Sequence, residues 1–235
     1  MKSVSSNKEM KQMAGIQAAD LVRNGMKVGI GTGSTVAFLI EELGRRIKQG
    51  LNIQGVPTSY GTKLLCVRHG IPIADSMLLN HLDLTIDGAD EIDPSLNAIK
   101  GGGAAHSREK LIASMTDEFV LIADESKLVD SLCTKFPLPV EVIPPSLTYA
   151  QQRIQQLGGT PVLRSALRKD GPVVSENGNF ILDIGFEQAP QDLELLDNQL
   201  LKIPGLLETG LFLGIARKAL IAYRDTVKMI VPRKL

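Results

Sequence analysis

The 235-residue chain has little cysteine or histidine, no excess of either charge and no long apolar run. Its two cysteines, Cys66 and Cys133, are too few for a disulfide framework and lie in no CxxC arrangement. That usage fits a reducing compartment, with both residues expected as buried thiols. Lysine plus arginine number 26 and aspartate plus glutamate number 26, so no global field draws the chain to nucleic acid or to an anionic membrane. No stretch reaches the roughly 18 apolar residues of a membrane span, and the polar start MKSVSSNKEMKQ lacks the apolar core of a signal peptide. These absences predict a soluble cytoplasmic protein with neither a nucleic-acid nor a membrane partner. The histidines, His69, His81 and His106, are scattered, and a lone histidine is more often a packing or surface residue than a base.

What is present is 43% hydrophobic residues in a chain longer than one average domain and shorter than two, which predicts one domain with an insert. A helix over Met10 to Val22 closes at Asn24-Gly25, and a strand, Lys27 to Ile30, runs into the loop Gly31-Thr32-Gly33-Ser34-Thr35. Val36, Leu39, Ile40, Leu43 and Ile47 then mark one helical face, with Arg45, Arg46 and Lys48 read as its solvated end. Further βα alternation follows: strand Ile53 to Val56, helix Tyr60 to Arg68, strands Ile71 to Ala74 and Leu82 to Ile86, helix Ala104 to Met115, strand Phe119 to Ala123. This pattern predicts a mostly parallel sheet. Prolines change the texture from Phe136, placing a boundary near residue 132. Strand (Val140 to Ile143), helix (Tyr149 to Leu157), strand (Pro161 to Leu163), strand (Phe180 to Ile184), helix (Leu193 to Ile203) and strand (Leu206 to Leu213) follow, a split βαβ order that predicts a ferredoxin-like unit. The tail, Ala219 to Tyr223 and Val227 to Val231, reads as a hairpin returning to the first sheet.

The chemistry gathers at strand ends, where open α/β sheets bind ligands. Gly31 to Thr35 lacks the third glycine of a dinucleotide fingerprint and the Gly-Lys-Ser/Thr of a phosphate-binding P-loop, so no nicotinamide is expected. The loop still offers N–H groups and the hydroxyls of Thr32, Ser34 and Thr35 to an anion or to sugar hydroxyls, although a tight turn with Ser34 or Thr35 as helix cap explains it equally well. Asp87, Asp90, Glu91 and Asp93 match no EF-hand spacing and no histidine joins them, so no metal is expected. Glu91 and Asp93 read as a solvated acidic turn. Asp87 and Asp90 sit beside Gly88 at a strand end, near Lys100, an arrangement that tunes a carboxylate for proton transfer. After Lys100, Gly101 to Gly103 leave backbone N–H groups open to an anion. A helix starting near Ala104 puts Glu109 more than a turn inside it, facing back toward the loop. Lys127 falls at the end of a further strand, on the same ligand edge.

Together GTGST, DGADEID, KGGGAAHSREK and KFPLPVEVIP resemble the type A ribose-5-phosphate isomerases, along nearly the whole chain. The resemblance implies a Rossmann-like domain over residues 1–131, completed by 214–235, carrying a ferredoxin-like α+β insert over 132–213. It implies cofactor-free interconversion of ribose 5-phosphate and ribulose 5-phosphate in the pentose phosphate pathway. The base resembles Glu109, and the substrate loops resemble Thr32, Gly33, Ser34 and Thr35; Asp87, Gly88, Ala89 and Asp90; Lys100, Gly101, Gly102 and Gly103; and Lys127. His106 and Ser107 receive no role. A homo-oligomer, most simply a two-fold dimer, is expected from the frequency of that symmetry and from the family.

The residues suit that reaction. Moving a carbonyl between C1 and C2 needs one base, as Glu109 could be, and donors such as Lys100 and the glycine amides for the enediolate oxygens. Asp87 and Asp90 are left to move hydroxyl protons. Two rival readings are an acyl-CoA transferase with a glutamate nucleophile and a sugar-phosphate sensor. The sensor would need a DNA-binding module, for which the few residues before the first helix are too short.

Overall fold

A computed structural model describes residues 2–167 and 170–232. The first half of the chain forms α1 (Lys2–Ala19), β1 (Lys27–Ile30), α2 (Ser34–Ile47), β2 (Gln54–Pro57), α3 (Tyr60–Arg68), β3 (Leu84–Asp87), β4 (Glu91–Ile92), β5 (Ala98–Ile99), α4 (His106–Ser114) and β6 (Phe119–Asp124). Next come β7 (Leu138–Val142), α5 (Leu147–Gln156), β8 (Thr160–Leu163), β9 (Phe180–Gly185), α6 (Leu193–Leu201), β10 (Leu206–Thr209), β11 (Leu211–Phe212), β12 (Ala216–Tyr223) and β13 (Thr226–Ile230). Two compact units result. One comprises Met1–Ala89, Arg108–Lys127 and Ile215–Leu235; the other comprises Asp90–Ser107 and Leu128–Gly214.

The first unit is Rossmann-like. Its six-stranded sheet has the order β13-β12-β6-β3-β1-β2, parallel throughout except that β13 runs antiparallel to β12. All six residues of β6, FVLIAD, are buried, as a strand must be when both sheet faces are covered. Val28, Ile30, Leu84, Ile86, Val120 and Ile122 pack with Ala14 and Ala18 of α1 and Leu39 and Leu43 of α2. Because β1 lies between β2 and β3, the chain leaves β1 toward one side and later returns on the other, so the C-terminal ends of β1 and β3 flank the topological switch point.

The second unit is ferredoxin-like. Its antiparallel sheet, β10-β7-β9-β8, buries Leu138, Val140, Val142, Leu182 and Ile184 against Ala150 and Ile154 of α5 and Leu196 and Leu200 of α6. A small antiparallel sheet, β11-β5-β4, belongs to the same unit. Residues 90–107, which the sequence pattern left in the first domain, fall in this unit because β5 pairs with β11, Ile99 opposite Leu211 and Ala98 opposite Phe212. The unit's second segment begins at Leu128, four residues before the boundary expected near 132, and ends at Gly214.

Other departures have local causes. The apolar run Leu206 to Leu213 is two strands in two sheets, broken at Gly210, whose N–H donates to Pro139 O at 2.7 Å and whose carbonyl accepts from Lys100 N–H at 3.0 Å. Ile71 to Ala74 forms no strand, making one bridge from Ile73 to Gly55. The helix expected from Met10 begins at Lys2. Arg46 is not part of a solvated face, since it donates to Ala19 O at 3.0 Å and pairs with Asp20 and Glu42, tying the end of α2 to the end of α1. Cys66 is buried and Cys133 half-buried, and burial pushes both thiols up to about 12.

Candidate active site

In the first unit the residues predicted from Gly31 to Thr35 and at Asp87 come together at the switch point. Gly31 N–H donates to Ile86 O at 3.0 Å, and the two strand ends run so close that a Cβ on Gly31 would lie 1.9 Å from Asp87 Oδ1. Only glycine fits there. Asp87 is 1% exposed, and its Oδ1 accepts from the N–H groups of Thr32 at 3.0 Å and Gly88 at 2.7 Å, so two backbone dipoles orient the carboxylate. The Thr32 hydroxyl donates to Ser59 Oγ at 2.8 Å and lies 2.9 Å from Thr58 Oγ1. Ser59 in turn caps α3, accepting from Thr62 N–H at 3.1 Å. Gly33, with φ 133°, caps α2 without a side-chain hydrogen bond, so Ser34 and Thr35 stand in the first turn and neither is the cap. Helix first turns carry N–H groups with no intrahelical partner, which suit an anion.

Helix α4 begins at His106, two residues later than the sequence pattern placed it, so Glu109 lies in its first turn. The carboxylate is 4% exposed, while Arg108 and Lys110 are half-buried, Arg108 lying 5.0 Å from the Tyr60 ring. Thr85 Oγ1 donates to Ile112 O at 3.3 Å, which fixes α4 against β3. One helical turn before Ile112 therefore brings Glu109 toward the end of β3 that carries Asp87. The helix dipole favours a carboxylate at that position. Lys127 ends a 3-10 turn, Glu125–Lys127, that follows β6 on the same sheet edge. Ala89 is the last residue of this unit's opening segment.

In the second unit Asp90 and the glycine loop come together. Asp90 Oδ2 accepts from Gly102 N–H at 2.8 Å, so that amide is taken and not bare. Gly101 has φ 116°, a conformation glycine adopts without strain, and Ala104 N–H closes the turn onto Gly101 O at 3.0 Å. Lys100 is 2% exposed, with Nζ 5.3 Å from the centre of the Phe212 ring. Arg164 Nη1 donates to Gly101 O at 2.8 Å and Gly102 O at 3.2 Å. His106 is fully buried beside Glu208 O, a packing position. Ser107 donates to the buried carboxylate of Glu141, which also accepts from Ser175, Asn177 and Asn179. Burial alone would raise the Glu141 pKa, but those donors outweigh it and hold the carboxyl below its usual value.

Glu91 corrects the sequence reading. It is no solvated turn residue but fully buried, its carboxylate accepting from the N–H groups of Cys133 at 2.6 Å, Thr134 at 3.1 Å, Phe136 at 2.8 Å and Lys135. Asp93 does form the expected turn, accepting from Ser95 and Asn97 N–H, both at 2.8 Å. Among the described residues no group of three or more His, Cys, Asp or Glu side chains is arranged to hold a metal ion.

The profile described as "Ribose 5-phosphate isomerase A (phosphoriboisomerase A)" matches residues 54–226. The chain belongs to the ribose 5-phosphate isomerase A family. A family member from Thermosynechococcus vestitus is 47% identical over 216 residues, covering 91% of each chain, and one from Methanosarcina acetivorans is 46% identical over 234 residues, covering 99% of each. The solved ribose 5-phosphate isomerase A of Methanocaldococcus jannaschii superposes with a TM-score of 0.92 at 39% identity, covering 96% of this chain and 99% of that one. A D-ribose-5-phosphate isomerase solved in complex with phospho-erythronic acid also gives 0.92, at 42% identity, covering 95% and 98%. This family member is accordingly an enzyme, an isomerase, which leaves the transferase and sensor readings without support. Sequence reasoning missed Arg164, Phe212 and Glu141 within the isomerase fold, because each acts on the 100–107 stretch from a position more than 30 residues away.

Proposed function

We propose that the enzyme interconverts D-ribose 5-phosphate and D-ribulose 5-phosphate, without metal or organic cofactor, in the non-oxidative branch of the pentose phosphate pathway of the cytoplasm. The observation that carries the mechanism is Glu109, a carboxylate 4% exposed in the first turn of the helix that follows the glycine loop. In the open-chain aldose Glu109 takes the C2 proton, and the C2–H electron pair forms the C1–C2 double bond of an enediolate. The same carboxylate returns that proton to C1, while the O2 hydroxyl gives up its proton to leave the C2 carbonyl and O1 gains one. Lys100, with the amides of Gly101 and Gly103, holds the developing oxyanion, and the Gly102 amide serves Asp90 instead. Asp87 and Asp90 exchange hydroxyl protons and help open the furanose ring. Thr32, Gly33, Ser34, Thr35 and Lys127 receive the phosphate and sugar hydroxyls, beside Gly88 and Ala89.

A solved relative bound to phospho-erythronic acid supports this reading, since that acid presents a planar anionic carboxylate on a phosphorylated sugar chain, as an enediolate would. The test is turnover of ribose 5-phosphate after exhaustive EDTA treatment. Ketose formation at the untreated rate is expected; activity lost to EDTA and restored by a divalent ion would overturn the cofactor-free assignment.

A further inference from the structure

Arg164 lies just beyond β8, its backbone fixed on both sides by N–H donation to Ile181 O at 2.9 Å and acceptance from Val173 N–H at 2.8 Å. Its guanidinium is divided between two tasks. Nε donates to Asp183 Oδ2 at 2.8 Å and Nη2 pairs with Asp183 Oδ1, which fixes the plane of the fork. Nη1 donates to the carbonyls of Gly101 at 2.8 Å and Gly102 at 3.2 Å. The side chains are 14% and 22% exposed, so the pair is largely shielded from water. The ion pair with Asp183 uses only Nε and Nη2, which leaves Nη1 for the backbone of the three-glycine loop. Three consecutive glycines lose more conformational freedom on ordering than any other residues would, and an outside clamp offsets part of that cost.

Each carbonyl that Arg164 takes is one end of a peptide group whose other end is the next N–H. Gly101 C=O shares its peptide group with Gly102 N–H, which donates to Asp90 Oδ2 at 2.8 Å; Gly102 C=O shares one with Gly103 N–H. A continuous chain of polar groups thus runs from Asp183 through Arg164 and a glycine peptide to Asp90. A cation at the carbonyl end polarises the peptide and strengthens the bond its N–H makes, by about 10–30% per link in such chains. We propose that Arg164, oriented by Asp183, is a positioning residue of the isomerase: it turns the carbonyls of the Lys100–Gly103 loop toward itself and so aims the loop's amides at Asp90 and at the enediolate. The aim at the enediolate rests on the proposed reaction; the aim at Asp90 does not. A lysine cannot replace it, because one ammonium cannot grip a carboxylate in a fork and reach two carbonyls at once.

The test uses Arg164→Ala and Asp183→Asn in the full chain, with two readouts. Loss of the clamp lowers kcat for ribose 5-phosphate by about 10- to 100-fold with KM within about two-fold, as misplacement of a reacting group does. Ethylguanidinium added to Arg164→Ala returns part of the lost kcat, and Asp183→Asn shows a smaller loss of the same kind. Independently of turnover, the Gly102 amide proton moves upfield in both variants. A folded Arg164→Ala with unchanged kcat, a change confined to KM, or an unmoved Gly102 amide refutes the proposal. Should Arg164→Ala fail to fold, Asp183→Asn carries the same readouts, and the same results support or refute the clamp. An inactive wild-type protein would instead remove the proposed reaction, and the amide shift would still decide whether Arg164 holds the loop.

Discussion

Lys100 is a cation that is 2% exposed, set over the Phe212 ring and next to the three glycines, and the proposed reaction uses it as a donor to the enediolate. A donor that meets its acceptor only as negative charge develops contributes to kcat more than to KM. Steady-state kinetics of Lys100→Ala should therefore show a larger fall in kcat than rise in KM, whereas an effect on KM alone would make it a simple anchor. Lys127, half-buried on the sheet edge, should behave oppositely: Lys127→Ala weakens substrate and phosphate binding and keeps most of kcat, and an unaltered KM would remove it from the site. At this scale, the meeting of the Gly31 to Thr35 loop and Asp87 at one sheet edge was legible. Asp87 is oriented by its own neighbour Gly88 and by a loop whose motif stood out. Glu91 was not, because the four amides that bury it belong to residues 133–136, more than 40 positions on, and an acidic turn beside a proline looks the same with or without them.

Helices and strands bounded by glycine or by a capping side chain were read closely: β1 and α3 run over the residues expected, the latter with Ser59 as its cap. Elements whose limits depend on distant backbone were not. The break at Gly210 is invisible in an apolar run and exists because Lys100 and Pro139 need that space. A methyl at Gly210 would lie 2.3 Å from Lys100 O, a backbone atom that cannot step aside. Gly210→Ala should cost about 1–3 kcal/mol in urea denaturation, and a wild-type midpoint would show that the two strands can shift apart. The junction of α1 and α2 gives a pH-dependent prediction. Glu42 is held from its usual 4.5 down to about 2, chiefly by the Arg45 hydrogen bond, with Arg46 adding to it and burial opposing. A depressed carboxylate stabilises the fold above its unfolded pKa, and that contribution is lost as pH falls from about 4.5 toward about 2. Melting temperatures across that window should fall more steeply for the wild type than for Glu42→Gln; parallel curves would mean the pair contributes nothing to acid stability.

At the scale of the whole molecule, the fold class could be read because both architectures repeat a pattern, βα alternation in one unit and a split βαβ order in the other. The small β11-β5-β4 sheet could not, since its strands are two residues long and β11 comes from more than 100 positions beyond the other two. A two-fold homodimer is the assembly we propose for the 25.4 kDa chain, and light scattering at micromolar concentration should give about twice that mass; a monomer mass would refute it. The central claim, that one buried carboxylate shuttles the proton between C1 and C2, is tested most directly by Glu109→Gln with ribose 5-phosphate in heavy water, followed by NMR. The substitution keeps size and removes the base. Turnover should fall about 10²- to 10⁴-fold with KM near wild type, and exchange of the C2 proton with solvent should cease. Near-normal turnover and exchange in that variant would contradict the account and move the base to Asp87 or Asp90.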